Sequence, residues 1–160
     1  MKCENKGEKA ALLFRQGYNC AQSVVLAFAE ELKEEYGLEE KALAKLASSF
    51  GGGMGRLREV CGAVSGMFMV YGMFYGYDSP TPEEDEAMQA EKDNHYKMIQ
   101  QLAEEFKQYQ GTIICREILD KPEGADDYHA AKRTNSYYEE RPCEKCVYHA
   151  AEILEKFLKN

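Results

Sequence analysis

The sequence has no tryptophan, only three histidines and four prolines, and fewer positive than negative side chains. Lys and Arg number 20 against 28 Asp and Glu, which gives a net charge of −8 at pH 7. This deficit argues against a nucleic-acid partner, because phosphate binding depends on clustered Lys and Arg, and the closest basic pairs are Arg56/Arg58 and Lys132/Arg133. The hydrophobic fraction of 44% is ordinary for a globular protein and argues against disorder.

Long apolar runs are also missing. The N-terminal apolar stretch, residues 10–14, is too short for a signal-peptide core, so we expect a cytoplasmic protein. Residues 60–77 form an eighteen-residue segment without a charge, but it holds four glycines and three tyrosines and is at the short limit for a membrane span. We therefore predict a buried helix there and no membrane insertion.

Apolar residues recur at three- and four-residue steps along most of the chain, which is the pattern of helices with one buried face. The predicted helices cover residues 24–36, 39–50, 61–76, 81–110, 115–119 and 142–158. Residues 125–140 fit no pattern and stay unassigned. Because no strand pattern of similar quality occurs, we predict an all-α fold: a compact bundle of about five helices around a buried glycine-rich helix, forming a single domain over residues 1–160.

Six cysteines are more than this chain needs for stability, because a domain of this length can bury a sufficient core without disulfides. Four of them fall at predicted helix starts: Cys20, Cys61, Cys115 and Cys143. Cys20 precedes the apolar stripe that begins at residue 24, and we predict that Asn19 is the N-cap that places Cys20 in the first turn. Unpaired backbone N–H groups and the helix dipole stabilise a thiolate at such a position and lower its pKa. A thiolate is both a nucleophile and a metal ligand, so the pattern predicts redox or metal chemistry without deciding between them.

Cys143 and Cys146 form a C-x-x-C pair, whose spacing places two sulfurs on one helical turn. Such a pair suits a dithiol/disulfide couple or half of a metal site. Further metal ligands would have to come from Cys20, Cys61, Cys115 or His149. Cys3, in a charged N-terminal segment, is interpreted as an incidental exposed thiol.

The glycine run Gly51-Gly52-Gly53 lacks the Gly-Lys-Ser/Thr ending of a phosphate loop and follows a helix, which argues against a nucleotide site. We predict instead a close backbone approach beside Cys61. Arg56 and Arg58 are candidates for lowering the pKa of a nearby thiol or for holding an anionic substrate. The predicted substrate-binding residues are Arg56, Gly53 and Gly62.

Several motifs occur together in a characteristic order. They are Tyr18-Asn19-Cys20-Ala21-Gln22, Gly51-Gly52-Gly53-Met54-Gly55, Cys61-Gly62-Ala63-Val64-Ser65-Gly66, Cys115-Arg116-Glu117-Ile118-Leu119, and a cysteine before Val147 and Ala150-Ala151. In these motifs the chain resembles the C_GCAxxG_C_C family of redox-active proteins, which is typical of anaerobes. The resemblance covers about residues 10–158.

The resemblance implies a redox role in which Cys20, Cys61 and Cys115 match three of the family's four cysteines. The fourth is Cys143 or Cys146, and this chain departs from the pattern by having both. A related domain occurs in split-Soret cytochromes, but the absence of C-x-x-C-H argues against a covalently attached c-type haem.

Three functions remain open from the sequence. The first is a thiol-based redox protein that exchanges electrons with an unidentified redox partner. In it Cys20 and Cys61 form one dithiol pair, and Cys115 forms a second with Cys143 or Cys146. The second is a protein that binds zinc or an iron–sulfur cluster through these thiolates and His149. The third is an interaction module, a homodimer formed through the glycine-rich helix.

Overall fold

The computed structural model describes residues 3–159 and confirms the all-α class. Within this range the chain forms nine regular helices and no strand. The helices are α1 (Lys6–Arg15), α2 (Cys20–Ala27), α3 (Ala29–Tyr36), α4 (Glu40–Ala47), α5 (Gly62–Tyr75), α6 (Glu86–Gln110), α7 (Cys115–Ile118), α8 (Asn135–Glu140) and α9 (Cys143–Lys159). A 3₁₀ turn, Ser48–Phe50, and the turn Gly51–Met54 link α4 to the loop before α5.

Helix α1 was not among the predicted helices, because charged residues dominate its first half. Asn5 caps it by accepting a hydrogen bond from the Glu8 N–H. Ala10 and Phe14 are fully buried, and the helix packs against α2 and α9. The N-terminal segment is therefore part of the core packing.

The predicted helix over residues 24–36 is in fact two helices that meet at Phe28. The Phe28 backbone (φ −106°, ψ 15°) leaves the helical region, and its side chain is fully buried. The Lys6 ammonium donates a hydrogen bond of 3.0 Å to the Ala27 carbonyl. Because this carbonyl is bound by a side chain from α1, the helical ladder is interrupted and the chain bends.

The start predicted for the long helix, at Thr81-Pro82, is also wrong. Helix α6 begins at Glu86, where Asp85 accepts a hydrogen bond from the Met88 N–H. Residues 82–85 form a turn closed by the Asp85 N–H and the Pro82 carbonyl. Aspartate is a stronger N-cap than threonine, and here it determines the helix start.

Helices α2 and α5 pack closely at the centre of the fold, and α2 also contacts α1, α4 and α9. Seven of the eight residues of α2 are buried. The specific prediction of five helices around the glycine-rich helix is not confirmed, since the helices are shorter and more numerous and several of them converge on α2. No helix in the described range is long and apolar enough to cross a membrane.

Gly66 allows this close approach, and Gly72 on the same helix provides a matched control. A Cβ at Gly66 would lie 2.8 Å from the Ala21 carbonyl oxygen, whereas one at Gly72 would meet nothing within 4 Å. We expect Gly66→Ala to lower the free energy of unfolding by about 2 kcal/mol through overpacking. Gly72→Ala should raise it by about 0.5–1 kcal/mol, since alanine favours helix. Urea unfolding of both variants measures these changes in free energy. Equal changes for the two substitutions would contradict the close packing of Gly66 against α2.

Candidate functional site

Five cysteines from four separate motifs line one buried cavity. The cavity has a volume of about 50 Å³. Its cysteines, all buried, are Cys20, Cys61, Cys115, Cys143 and Cys146. The structure therefore brings together every cysteine that the sequence marked as chemically active.

A capping box positions Cys20 as the first residue of α2. The Asn19 side chain accepts a hydrogen bond from the Gln22 N–H, and the Gln22 side chain accepts one from the Asn19 N–H. Asn19 also donates to the Ser48 carbonyl at 2.9 Å, which joins the start of α2 to the turn after α4. The predicted N-cap at Asn19 is thus confirmed.

Cys61 and Cys115 are held beside each other by an isolated antiparallel bridge between Val60 and Ile114. The Cys61 N–H donates to the Ile113 carbonyl at 2.7 Å, and the Cys115 N–H donates to the Glu59 carbonyl at 2.6 Å. These bonds align the starts of α5 and α7 on the cavity. Sequence periodicity gave no sign of this bridge.

Glycines allow the backbone to approach the cysteines, as the sequence predicted, although the contacts differ in detail. A Cβ at Gly53 would lie 2.6 Å from the Cys115 Cβ, and Gly53 has the left-handed φ of +67°. A Cβ at Gly62 would lie 3.0 Å from the Cys20 Cβ. Gly53 therefore approaches Cys115 rather than Cys61.

The thiols of Cys20 and Cys143 are neighbours in the cavity and interact with each other. This interaction is the main cause that lowers the pKa of Cys143 to about 7, against the effect of burial, and the positive charges of Arg141, Arg58 and Arg133 lower it further. The pKa of Cys20 is raised by the same interaction and by burial. Cys143 is therefore the more acidic thiol of this pair.

Cys61 and Cys146 form a second pair of interacting thiols. The interaction with Cys146 and burial raise the pKa of Cys61. Burial also raises the pKa of Cys115, although the Arg58 guanidinium opposes this shift. The expectation that helix N-termini lower the thiol pKa is wrong for Cys20, Cys61 and Cys115, because the loss of water and the neighbouring sulfurs outweigh the helix dipole.

These contacts differ from the pairing inferred from the sequence. That inference placed Cys20 with Cys61, and Cys115 with one of the C-x-x-C cysteines. In the structure each C-x-x-C cysteine faces a different helix start: Cys143 faces Cys20, and Cys146 faces Cys61. All the cysteines are free thiols.

Of the two candidate arginines, Arg58 reaches the thiols. Its side chain is 3% exposed, its Nη1 lies 3.6 Å from the Cys115 Sγ, and its Nη2 lies 2.6 Å from the Asp126 Oδ2. Arg56 instead donates to the Asp127 carbonyl at 2.7 Å and does not line the thiol cavity. Both arginines adopt left-handed backbone angles, so this loop carries a conformational cost that the contacts of Arg58 offset.

Sequence reasoning missed the residues that the segment before α9 contributes. Asp126 pairs with Arg58, while Arg133, Tyr137 and Arg141 line the cavity. The available signal was a group of arginines interleaved with tyrosines in a chain of net negative charge. It was overlooked because residues 125–140 follow no helical period.

His149 and Cys3 do not belong to the site. The His149 ring stacks on Tyr109 with a centroid distance of 4.1 Å and does not line the cavity. Cys3 is half-buried, not exposed as expected from the sequence, and it lines a separate surface depression. Over residues 3–159, no group of three or more His, Cys, Asp or Glu side chains is arranged to hold one metal ion.

A family profile described as "Putative redox-active protein (C_GCAxxG_C_C)" matches residues 18–157, which is most of the chain. The chain belongs to the C_GCAxxG_C_C family. The matched range contains all five cavity cysteines and excludes Cys3. Searches of curated proteins and of solved structures returned no match. Family membership supports a general redox role for the C_GCAxxG_C_C domain of this chain.

Proposed function

We propose that this protein is a thiol–disulfide oxidoreductase in which Cys143 is the attacking thiolate and Cys20 the resolving thiol. The observation that carries the proposal is the pairing of Cys20 and Cys143 in one cavity, where their interaction lowers the pKa of Cys143 to about 7. An attacking thiol is most effective when its pKa lies near the ambient pH. The free state of the thiols suits a reducing, cytoplasmic setting.

The reaction proceeds in two exchanges. The Cys143 thiolate attacks one sulfur of an external disulfide, forms a mixed disulfide, and releases the other half as a thiolate. Cys20 then loses its proton to solvent or to the released thiolate and attacks the Cys143 sulfur. This displaces the second half of the substrate and leaves a Cys20–Cys143 disulfide, so that two electrons pass from the dithiol to the external disulfide.

The surroundings of the two sulfurs support this division of roles. Three arginines stabilise the charge on Cys143, whereas burial and the neighbouring sulfurs raise the pKa of Cys20 and keep it protonated. A protonated Cys20 donates to the Cys143 thiolate until exchange begins. Because Cys143 and Cys20 are already neighbours, the second step needs no large movement of α2 or α9.

The alternative functions have less support from the geometry. Zinc or iron–sulfur ligation needs three or four donors grouped on one ion, and the thiols of the described residues are arranged instead as two pairs and one thiol beside Arg58. The homodimer hypothesis relied on the glycine-rich helix, but Gly62 and Gly66 pack against α2 of the same chain.

Replacing Cys20 by serine tests the proposed roles. Serine removes the resolving sulfur, so we expect Cys20→Ser to accumulate a mixed disulfide at Cys143 when the reduced protein is mixed with the neutral disulfide 4,4′-dithiodipyridine. The wild type should release two thiopyridones and form the Cys20–Cys143 bond. Peptide mass spectrometry distinguishes these products, and Cys61→Ser, which should behave as the wild type in this first turnover, is the matched control.

Two outcomes would contradict the proposal. The first is a Cys20→Ser protein whose adduct forms at a cysteine other than Cys143. The second is stoichiometric zinc or iron in protein purified under anaerobic conditions, which would support the metal-binding function instead.

A further inference from the structure

A second depression adjoins the thiol cavity and contains an unusual number of arginines. It has a volume of about 190 Å³ and shares six wall residues with the thiol cavity. We call it the arginine vestibule, defined by Arg56, Arg58, Arg133 and Arg141. No Asp or Glu is among its wall residues, although the whole chain has a net charge of −8.

Two of these arginines share one carboxylate, and the other two have none within the described residues. Asp126 forms ion pairs with Arg58 at 2.6 Å and with Arg56 at 3.6 Å. Over the described residues, no carboxylate pairs with Arg133 or Arg141. The vestibule therefore carries uncompensated positive charge directly beside the thiols.

Aromatic rings hold the two unpaired guanidinium groups in place. The Arg133 guanidinium carbon lies 4.5 Å from the centroid of the Phe14 ring and 4.7 Å from that of the Tyr137 ring. The Arg141 guanidinium carbon lies 4.5 Å from the centroid of the same Tyr137 ring. One nitrogen of Arg133 donates to the Tyr18 carbonyl, while its buried Nη1 has no hydrogen-bond partner within the described range. A buried donor without a partner costs free energy unless a ligand accepts from it.

We infer that Arg133 and Arg141 form a binding site for a small anionic group, and that the disulfide reduced at Cys143 carries a carboxylate that binds there. This inference rests on the proposed function and specifies its substrate class. Planar guanidinium groups bind carboxylates through paired hydrogen bonds. The vestibule is smaller than the roughly 300 Å³ at the lower end of ordinary ligand pockets, which favours a short molecule.

The shared walls explain how binding and chemistry combine. Arg133, Arg141 and Tyr137 line both the vestibule and the thiol cavity. A carboxylate held by the arginines would direct the neighbouring disulfide sulfur toward Cys143. The Cys143 thiolate forms the new S–S bond there, the substrate's own S–S bond breaks, and the leaving thiolate takes the electron pair.

Two alkylating reagents of similar size test the inference. Iodoacetate is anionic and iodoacetamide is neutral, and both form a C–S bond with the thiolate and release iodide. The ratio of their rates at Cys143 cancels the thiolate fraction, so a change in the Cys143 pKa does not affect it. We expect the ratio of the iodoacetate rate to the iodoacetamide rate to be higher at Cys143 than at a small free thiol. In the double variant Arg133→Gln/Arg141→Gln this ratio should fall about tenfold, which is the lower end of the rate enhancement that a charged cleft gives.

Lys132→Gln is the matched control, because Lys132 is exposed and does not line the vestibule. Its ratio should equal that of the wild type. In the wild type, sodium sulfate should lower the ratio more than sodium chloride at the same ionic strength, which tests the site without any substitution. A ratio insensitive to both the arginines and sulfate would overturn the inference, whereas a Cys143 inert to both reagents would overturn the proposed function.

Discussion

Replacing Cys143 by serine is expected to abolish disulfide exchange and to remove the thiol that reacts fastest at neutral pH. With a pKa of about 7, roughly half of Cys143 is thiolate at pH 7. An unperturbed thiol is only a few per cent ionised at that pH, and the pKa values of Cys20, Cys61 and Cys115 are raised. Stopped-flow reaction with iodoacetamide, followed by peptide mapping, measures the loss, and Cys61→Ser should keep the fast phase.

The pH dependence of this reaction gives a second, independent measurement. The Cys143 alkylation rate should rise with pH and reach half its maximum near pH 7, because deprotonation creates the nucleophile. The groups that act on its charge are Cys20, Arg58, Arg133 and Arg141. Cys20→Ala removes a hydrogen-bond donor and should shift the midpoint upward, whereas Cys20→Ser keeps a donor and should leave it nearly unchanged. A midpoint near 9 in the wild type would contradict this.

Replacing Asp126 by asparagine is expected to be the most destabilising charge change near the site. It would leave the Arg58 guanidinium, 3% exposed, without its carboxylate partner. Loss of one partner of a buried ion pair costs about 3–5 kcal/mol. We expect about 2–3 kcal/mol in the free energy of unfolding at pH 7, because the Asp126 side chain is still 25% exposed.

A neighbouring ion pair provides the control. Glu59 and Arg116 pair at 3.0 Å, but the Glu59 side chain is 53% exposed. Glu59→Gln should therefore cost less than about 1 kcal/mol. Equal destabilisation by Glu59→Gln and Asp126→Asn in urea would show that the burial of Arg58 does not determine the free-energy cost of losing its carboxylate partner.

The effect of Asp126 should also depend on pH. The Arg58 guanidinium lowers the pKa of Asp126, so its ionised form is favoured in the folded state. The stabilisation is complete above the pKa of an unfolded aspartate, about 4, and is lost as the pH falls through the lower folded value. The stability difference between the wild type and Asp126→Asn should accordingly shrink in acid.

Much of the fold followed from local patterns. The glycine-rich helix, the last helix and the short helix at Cys115 were predicted correctly, and no predicted end differs from the observed end by more than one residue. Helix α1 and helix α8 were not, because α1 has a charged first half and α8 lies in a polar segment. Each is stabilised by contacts distant in sequence, such as Phe14 against Tyr138, whose ring centroids are 5.7 Å apart.

For the site, the sequence by itself singled out the five cysteines that line the cavity, because capping residues, glycines and helix starts are local features. Only the tertiary structure decided that all five cysteines share one cavity, that Cys143 faces Cys20, and that Arg133 and Arg141 lie beside them. The physical reason is that thiol pKa values depend on burial and on nearby charges. These properties arise where distant segments pack together, and spacing along the chain does not encode them.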